Sequence, residues 1–430
     1  MADDTEVVSH AGSGLVTELA DRLGLTSGLS RVMADTRERR RVHDPGVVLR
    51  DLAVMLADGG DCLADLGGLR DQAGVFGHVA SDATGWRVID SLDGRHLEAV
   101  RVARRAARSR AWDAGARPDE VVLDIDSTLI TAHSDKDGAA PTYKRGYGFH
   151  PILCCLGGET LAGILRPGNA GANTAHDHIG VLIDGLDQLP VGVFEDPATP
   201  ILVRADSAGC THDFLDAVSE MKLLFSVSMP IDERSRTVIV DIPEKAWTPA
   251  NCQDGTPRDG AWVSELHDLD LSGWPEGSRA ICRRERPHPG AQLTFTDHDG
   301  HRFQMLLTNQ HGDAVALEAR HRARARVEDA IRAAKDTGLR NLPFRTFTAN
   351  QAWLELVLIA QDLIHWTQAL LLDGELARAE PKRLRYRLLH TAARITHSGR
   401  RICLHLPARW PWADALVGAF HRLRALPAPG

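Results

Sequence analysis

The sequence predicts a protein of the α/β class with more than one domain. Apolar residues at three- and four-residue intervals indicate helices between residue 12 and about residue 112. After Pro118 the pattern changes to short, β-branched apolar runs that alternate with helical stretches. Two of those runs end in an Asp, at the point where open α/β sheets place their functional sites. A chain of 430 residues is long enough for two or three domains.

The amino-acid composition indicates which kind of protein this is and where it is located. A hydrophobic content of 43% with 25% charged residues is typical of a soluble globular protein. The acidic N-terminus has no apolar segment of a secretory signal, and no apolar run is long enough to cross a bilayer. The seven Cys residues contain no CxxC pair, which favours a reducing bacterial cytoplasm over a disulfide framework or a zinc site.

Charge alone does not decide whether the protein binds nucleic acid. A net charge of −8 argues against a globally basic binder. Local basic clusters could nevertheless contact phosphates, and they occur at 37–41, 101–110, 320–345 and 382–394.

The first segment, residues 1–117, is predicted to be a helical domain with basic edges. One interpretation is a DNA-binding domain that reads a DNA end. The other is a helical packing or dimerisation domain, and the sequence does not separate the two.

The segment 118–229 is predicted to be the first part of the core. Its first strand, within 120–130, holds Asp124 and Asp126, which point to one face because side chains alternate along a strand. Two strands joined at Gly157-Gly158 follow, then a helix, a strand that ends at Asp206, a helix and a fifth strand at 223–229. This order, with a late helix, matches an RNase H-like core.

The remaining chain is predicted as three parts. Residues 230–308 are expected to form a β-rich insertion, because RTVIVDI, AQLTFT and RFQMLLTN show period-two patterning and DHDG at 297–300 is typical of a hairpin turn. Residues 309–372 would complete the core, and 373–430 would form a basic C-terminal region with helices.

One basic stretch, 317–344, is expected to be a helix that carries a single central carboxylate, Glu328. Arg324 lies four residues before it, while Lys335 and His321 lie seven residues after and before it. Offsets of four and seven return to one side of a helix. That face would suit a metal ion held against a polyanion, although ion pairs on an ordinary solvated helix have the same spacing.

Asp126, Asp206 and Glu328 together suggest phosphoryl-transfer chemistry. Carboxylate oxygens are the ligands that Mg²⁺ prefers, with water and substrate phosphate completing its octahedron. Two such ions can stabilise the attacking and the leaving oxygen of an in-line displacement, so no protein nucleophile is needed.

These residues resemble the DDE transposases of bacterial insertion sequences, in the branch with a Tyr-x2-Arg-x3-Glu-x6-Lys signature and in particular the insertion sequence 1380 family. The motifs occur in the family's order and cover nearly the whole chain. They are DGGDCLADLGGLR, LDIDST, YKRGYGFHPI, LRPGNAGANTA, VRADSAG, Arg324-x3-Glu328-x6-Lys335 and HSGRRICLHL. In one departure, His321 stands where the signature has Tyr.

The resemblance implies an enzyme that cleaves DNA at transposon ends and joins the freed 3′-hydroxyls to target DNA. Asp126, Asp206 and Glu328 would be catalytic and would bind Mg²⁺, for which Mn²⁺ could substitute. The implied partners are double-stranded DNA (transposon end repeats and target) and a second copy of the chain in a homodimer on paired ends, with no membrane. The implied location is the bacterial cytoplasm, on the nucleoid when DNA is bound.

The resemblance also implies DNA contacts. Arg324 and Lys335 would hold phosphates, and His321 could do so with a pH dependence near its usual pKa. Trp262 or Trp247 could stack on a flipped base, although a core role is the commoner one for a Trp in a β insertion. Three residues of one loop could touch DNA or be merely solvated: Lys144, Arg145 and Tyr147.

Several alternatives stay open at the level of sequence. Asp124 could replace Asp126 as the first ligand. LDIDSTLI also resembles the first motif of haloacid-dehalogenase-like phosphatases, in which Asp124 would be the nucleophile, Asp126 the general acid/base, and Asp206 with Asp213 the Mg²⁺ ligands. A DNA-binding derivative without catalysis is the third alternative.

Overall fold

The computed structural model describes residues 7–36, 42–287, 290, 297–398 and 401–428. The basic cluster at 37–41 and the AQLTFT run at 291–296 lie outside the described residues.

Fifteen α-helices occur in the described chain. They are α1 (Ser13–Arg22), α2 (Leu25–Val32), α3 (Pro45–Asp58), α4 (Leu66–Arg70), α5 (Ala73–Phe76), α6 (Asp82–Asp90), α7 (Gly94–Ala111), α8 (Ala175–Leu186), α9 (His212–Glu220), α10 (Glu233–Asp241), α11 (Ala314–Arg322), α12 (Arg326–Ala334), α13 (Phe347–Leu371), α14 (Pro381–Leu384) and α15 (Ala413–Ala425). None of the described helices is long and apolar enough to span a membrane.

Fifteen strands occur in the same ranges. They are β1 (Val7–Val8), β2 (Val121–Ser127), β3 (Ile130–Thr131), β4 (Ala140–Pro141), β5 (Tyr147–Phe149), β6 (Ile152–Leu156), β7 (Glu159–Ile164), β8 (Ile201–Ala205), β9 (Leu224–Met229), β10 (Thr248–Asn251), β11 (Pro257–Glu265), β12 (Arg279–Glu285), β13 (Arg302–Thr308), β14 (Ala393–Ser398) and β15 (Arg401–His405).

A mixed nine-stranded sheet forms the centre of the molecule, in the order β10-β11-β12-β13-β9-β8-β2-β6-β7. Strands β2, β8 and β9 are parallel, and β6 and β7 continue antiparallel from β2. The five strands expected from the sequence between 118 and 229 are therefore all present. The mixed α/β class is confirmed.

The strands of residues 230–308, the segment predicted to be an insertion and called the insertion below, extend this sheet. Strand β13 pairs antiparallel with β9, through Met305–Met229 to Thr308–Ser226, and β12, β11 and β10 follow it outward. The insertion strands thus share a hydrogen-bonded ladder with the core strands that carry the site.

The prediction of a strand at RTVIVDI is wrong, because residues 233–241 form helix α10. Asp232 caps the helix, because its carboxylate accepts a hydrogen bond of 2.8 Å from Ser235 N. In return, the Ser235 hydroxyl oxygen accepts a hydrogen bond of 2.9 Å from Asp232 N. Val238, Ile239 and Ile242 fall at helical spacing and pack against the insertion's own apolar cluster. The cap and this spacing override the period-two pattern.

Helix α13 is the spine of the hydrophobic core, with most of its 25 residues buried. It packs against the N-terminal helices α1, α3 and α7, against β7 and against the C-terminal helix α15. One continuous apolar cluster runs from Leu15 to Leu423. The N-terminal helices therefore complete the core of the sheet layer as well as forming their own bundle.

Cations of α7 join these layers. Arg104 and Arg108 are fully buried and both ion-pair with Asp362 of α13, at 2.7 and 2.5 Å, while Arg108 also pairs with Glu159 of β7. Much of the basic cluster at 101–110 is thus internal. Those two guanidiniums are not available to a DNA backbone.

Candidate active site

Two Asp side chains lie side by side at the carboxyl ends of neighbouring parallel strands. The β2–β8 register pairs Ile125 with Ala205, so Asp126 and Asp206 occupy the next positions along each strand. Both are partly buried. Each carboxylate accepts a local backbone hydrogen bond, Asp126 from Ser127 N at 2.8 Å and Asp206 from Ala208 N at 3.0 Å, which fixes its direction.

The neighbouring Asp124 has a different role. Arg204, its register partner on β8, donates two hydrogen bonds of 2.7 Å to its two oxygens. Both residues are buried, at 6% relative exposure each. A carboxylate paired in this way is held as a structural counter-ion, which favours Asp126 as the ligand-type carboxylate and leaves no free nucleophile at Asp124.

The basic stretch that carries Glu328 is not one continuous helix. Helix α11 ends at Arg322, a 3₁₀ turn spans Ala323–Ala325, and α12 begins at Arg326 and ends at Ala334. A kinked turn with Gly338 at φ 98° follows at Lys335–Leu339. The expectation of one continuous helix is therefore wrong, although His321, Arg324 and Glu328 still line one cavity.

Arg324, in that 3₁₀ turn, points to the end of β2. Its Nη2 lies 3.0 Å from Oδ2 of Asp126, and the two side chains are only 15% and 17% exposed. This ion pair connects the helical segment to the first carboxylate.

His321 lies against the sheet face beside the carboxylates. Its Nδ1 is 2.9 Å from Ser226 Oγ and its Nε2 is 3.1 Å from Ser228 Oγ, both on β9. Burial, followed by the nearby Arg324 and Arg204 guanidiniums, lowers the pKa of His321 to about 3. The imidazole is therefore neutral at physiological pH, and the pH dependence expected near its usual pKa is not supported.

Glu328 is exposed on α12, and its charge acts on Asp126. The pKa of Asp126 is raised mainly by burial; Arg324 opposes this shift, and the charges of Asp206 and Glu328 add to it. The three carboxylates thus lie within electrostatic range of one another. Their oxygens are not all within 4.8 Å of one another. Among the described residues, two groups of possible metal ligands are that close: His10–Asp58–His390 and Asp61–Cys62–Asp65.

A cavity of about 410 Å³ opens beside this group, between β9, β13 and the α11–α12 segment. His321, Arg324 and Glu328 line it from the helical side, and Arg283 and Gln304 line it from the insertion. Glu318 and Glu328 are the carboxylates that line it, whereas Asp126 and Asp206 lie outside its lining. The guanidinium groups of Arg283, Arg322 and Arg324 in the lining suit a phosphate.

The other cations expected at the site fall in two places. Lys335 follows α12 and is half-buried, and its pKa is lowered by burial and by the nearby Lys144 ammonium. Lys144 and Arg145 form the exposed turn between β4 and β5, with Arg145 at φ 62°. Tyr147 is 37% exposed and its hydroxyl lies 3.4 Å from Asp135 Oδ1. Lys335 and this turn therefore face one region of solvent.

The two candidate tryptophans differ in their environment. Trp247 is 8% exposed and packs in the insertion's apolar cluster. Trp262 is partly exposed on β11, with the Arg284 and Arg286 guanidinium carbons 5.0 and 5.5 Å from its ring centroid. Trp262 is therefore the more accessible ring.

The family model for the transposase DDE domain, group 1, matches residues 2–428. This match covers almost the whole chain. The chain belongs to the DDE transposases. No curated protein matches it.

Membership establishes the coarse function. The protein is a transposase, an enzyme of DNA recombination, and members of this family act on DNA with divalent metal ions. The site described above has the acidic character that such ions require.

Sequence reasoning missed Arg204 and the two serines beneath His321. Arg204 stands in the otherwise apolar run ILVRA, two residues before Asp206. An Arg in a buried strand requires an acidic partner, and the same period-two face carries Asp124 on the next strand. That signal was present in the sequence. The serine contacts depend on how α11 places His321 against β9, which the sequence does not specify.

Proposed function

We propose that this transposase cleaves DNA at transposon ends and joins the resulting 3′-hydroxyls to target DNA, with Asp126, Asp206 and Glu328 as the metal-binding carboxylates. The observation that carries the proposal is the register of β2 and β8, which sets Asp126 beside Asp206, with Glu328 within electrostatic range. The strand order β7-β6-β2-β8-β9 supports an RNase H-like core. The signature residues support the insertion sequence 1380 branch.

Mg²⁺, with Mn²⁺ as a substitute, is the proposed cofactor, and when bound it would activate the attacking oxygen and stabilise the leaving one. The protein's own residues would position the strand. Arg324 and Lys335 would bind phosphates, with Lys144, Arg145 and Tyr147 extending the contact along the backbone. The neutral imidazole of His321, hydrogen-bonded to Ser226 and Ser228, would hold the end of α11 against β9 and so help to position Arg324.

Trp262 is the proposed stacking residue, because its ring is accessible and has guanidinium groups beside it. A homodimer on paired ends and a DNA-contacting role for the exposed face of the N-terminal helices belong to the same proposal. The phosphatase alternative has no supporting observation, since Asp124 is held by Arg204.

The decisive test compares the wild type with Glu328→Gln in Mg²⁺-dependent cleavage of DNA that carries the element's own ends. Gln is nearly isosteric, so we expect cleavage to be lost while end binding is retained. Asp329→Asn is the matched control, because it removes the adjacent exposed carboxylate, which pairs only with the surface residue Arg332 in the described chain. Cleavage that survives Glu328→Gln would refute the assignment.

A further inference from the structure

Arg324 occupies the place at Asp126 where a cation is needed. Its guanidinium lies 3.0 Å from Asp126 Oδ2, in a region where both side chains are more than four-fifths buried. No other Lys, Arg or His in the described ranges ion-pairs with Asp126. The nearby Arg204 contacts Asp124 and the carbonyl of Arg320 instead.

The pair has an electrostatic reason. Asp126 is partly buried and also feels the charges of Asp206 and Glu328. Such a cluster of anions is unfavourable unless a cation offsets it. In the protein alone, Arg324 is that cation.

The pairing leaves Arg324 with unused hydrogen-bonding capacity. Its Nε is buried and has no hydrogen-bond partner among the described residues. The same side chain lines the cavity that Glu328 and Arg283 share. A guanidinium favours a bidentate contact with phosphate over a single contact with a carboxylate oxygen, so a DNA phosphate in this cavity would offer Arg324 a better partner.

A divalent cation at the Oδ2 of Asp126 and the guanidinium would compete for the same oxygen. Metal binding to the free protein therefore requires Arg324 to leave, with no new partner for its charge. When a phosphate is present, that cost is removed, because the guanidinium transfers to the phosphate. Binding of metal and binding of DNA would then favour each other by the same factor.

We propose that Arg324 makes metal binding conditional on DNA: it neutralises Asp126 in the free protein and releases that carboxylate to the metal when a DNA phosphate takes its guanidinium. This inference rests on the proposed function, in which Asp126 is a metal ligand. It assigns Arg324 a positioning role before catalysis, in addition to its phosphate contact. A free protein of this kind would not assemble a cutting site away from DNA.

The test is a titration of the full chain with Mn²⁺. The electron paramagnetic resonance signal of free Mn²⁺ measures how much Mn²⁺ remains unbound. It is done with and without a duplex that carries the element's end already cut at its 3′ side, and binding to the duplex alone is subtracted. We expect DNA to tighten Mn²⁺ binding by the wild type about tenfold, within the usual range of coupling between sites. Arg324→Gln should bind Mn²⁺ about tenfold more tightly than the wild type without DNA, and should lose most of the DNA effect.

Two further variants make the result specific. Arg326→Gln removes a nearby exposed cation that contacts Gln253 Oε1 at 2.8 Å and ion-pairs with no carboxylate among the residues that the structure describes, so it should behave like the wild type. Arg324→Lys keeps the charge, so weak Mn²⁺ binding by the free protein should be retained. If Arg324→Gln does not fold, the wild-type titrations with and without DNA still test the inference, since equal Mn²⁺ affinity in the two would contradict it.

The outcomes separate this inference from the proposed function. Equal Mn²⁺ affinity of wild type and Arg324→Gln, with Asp126→Asn still abolishing binding, would overturn the role of Arg324 alone. Mn²⁺ binding that is indifferent to Asp126→Asn would overturn the metal site itself, and with it both proposals.

Discussion

Arg204 donates two hydrogen bonds of 2.7 Å to Asp124, while Asp126, two residues along the same strand face, meets a single contact from Arg324. Two carboxylates that the sequence leaves equivalent are thereby separated. The first is a buried counter-ion within the sheet, and the second faces the helical segment that carries Glu328.

This difference predicts opposite effects of two Asn substitutions. Asp124→Asn removes the charge partner of buried Arg204 and should lower the free energy of unfolding by about 3 kcal/mol. Asp126→Asn should lower it by less, because the loss of the ion pair with Arg324 is offset by relief of the repulsion from Asp206 and Glu328, yet it should abolish DNA cleavage. Urea denaturation and a cleavage assay on the same preparations measure both. Full cleavage by Asp126→Asn with loss of activity only in Asp124→Asn would reverse the assignment.

Lys335 and Lys144 lie close enough for one ammonium to affect the pKa of the other. Shared phosphate binding would relieve that repulsion, so Lys335→Gln and Lys144→Gln should each weaken DNA binding. Each should also reduce the slope of log affinity against log salt by about one. The control is Lys222→Gln. Lys222 is exposed and lies just before the first residue of β9, at the end of the strand away from the carboxylates. An unchanged slope in both site variants would exclude this surface.

Burial distinguishes the effects of the two tryptophan substitutions. Trp247→Ala empties a position in the insertion's apolar cluster and should cost about 3–5 kcal/mol of stability. Trp262→Ala should cost less, because that ring is partly exposed. If Trp262 stacks on a displaced base, its loss should lower the fluorescence change of 2-aminopurine placed next to the cleavage point. A normal signal in Trp262→Ala would remove this role.

His390 predicts a pH-dependent contribution to stability. Burial alone would lower its pKa, but hydrogen bonding to Asp58, whose Oδ1 is 3.1 Å away, outweighs burial and raises it. A raised histidine pKa gives stability that is fully present below the unfolded value near 6.5 and is lost as the pH rises through the folded value. The Asp58 carboxylate stays ionised across this range, because hydrogen bonds from His10 and His390 outweigh burial and hold its pKa well below the usual one.

His390→Gln should therefore destabilise the protein more at about pH 5.5 than at about pH 8.5. Unfolding free energies of wild type and variant at both pH values measure the difference. His78→Gln, at an exposed position, serves as the control. A larger effect at the higher pH would contradict the assigned sign.

The sequence predicted the strands and their Asp residues because a buried strand has few alternatives. EVVLDIDSTLI and PILVRADSAG combine β-branched residues with a terminal carboxylate, and β2 and β8 follow them closely. The helical character of the stretch around Glu328 was also predicted, from the offsets of Arg324, Lys335 and His321, although the structure divides that stretch into α11, a 3₁₀ turn and α12.

What the sequence did not specify depends on long-range packing. The 3₁₀ turn at Ala323–Ala325 contains no Gly or Pro that would signal it in the sequence, and the contacts of Arg324 with Asp126 and of His321 with Ser226 on either side of its start join segments far apart in the chain. The burial of Arg104 and Arg108 depends on Asp362 and Glu159, which lie far along the chain. A cluster of arginines looks the same in sequence whether it meets water or buried acids.

The two ends of the chain depend on each other, and this has a consequence for its synthesis. Strand β1 pairs with β14, and the Ser13 hydroxyl reaches the carbonyl of Leu389 at 3.5 Å, across 376 residues. Helices α1 and α3 bury their apolar faces against α13. A nascent chain therefore exposes these faces until α13 has emerged from the ribosome. Premature termination anywhere before α13 should leave an aggregating fragment rather than a smaller folded protein.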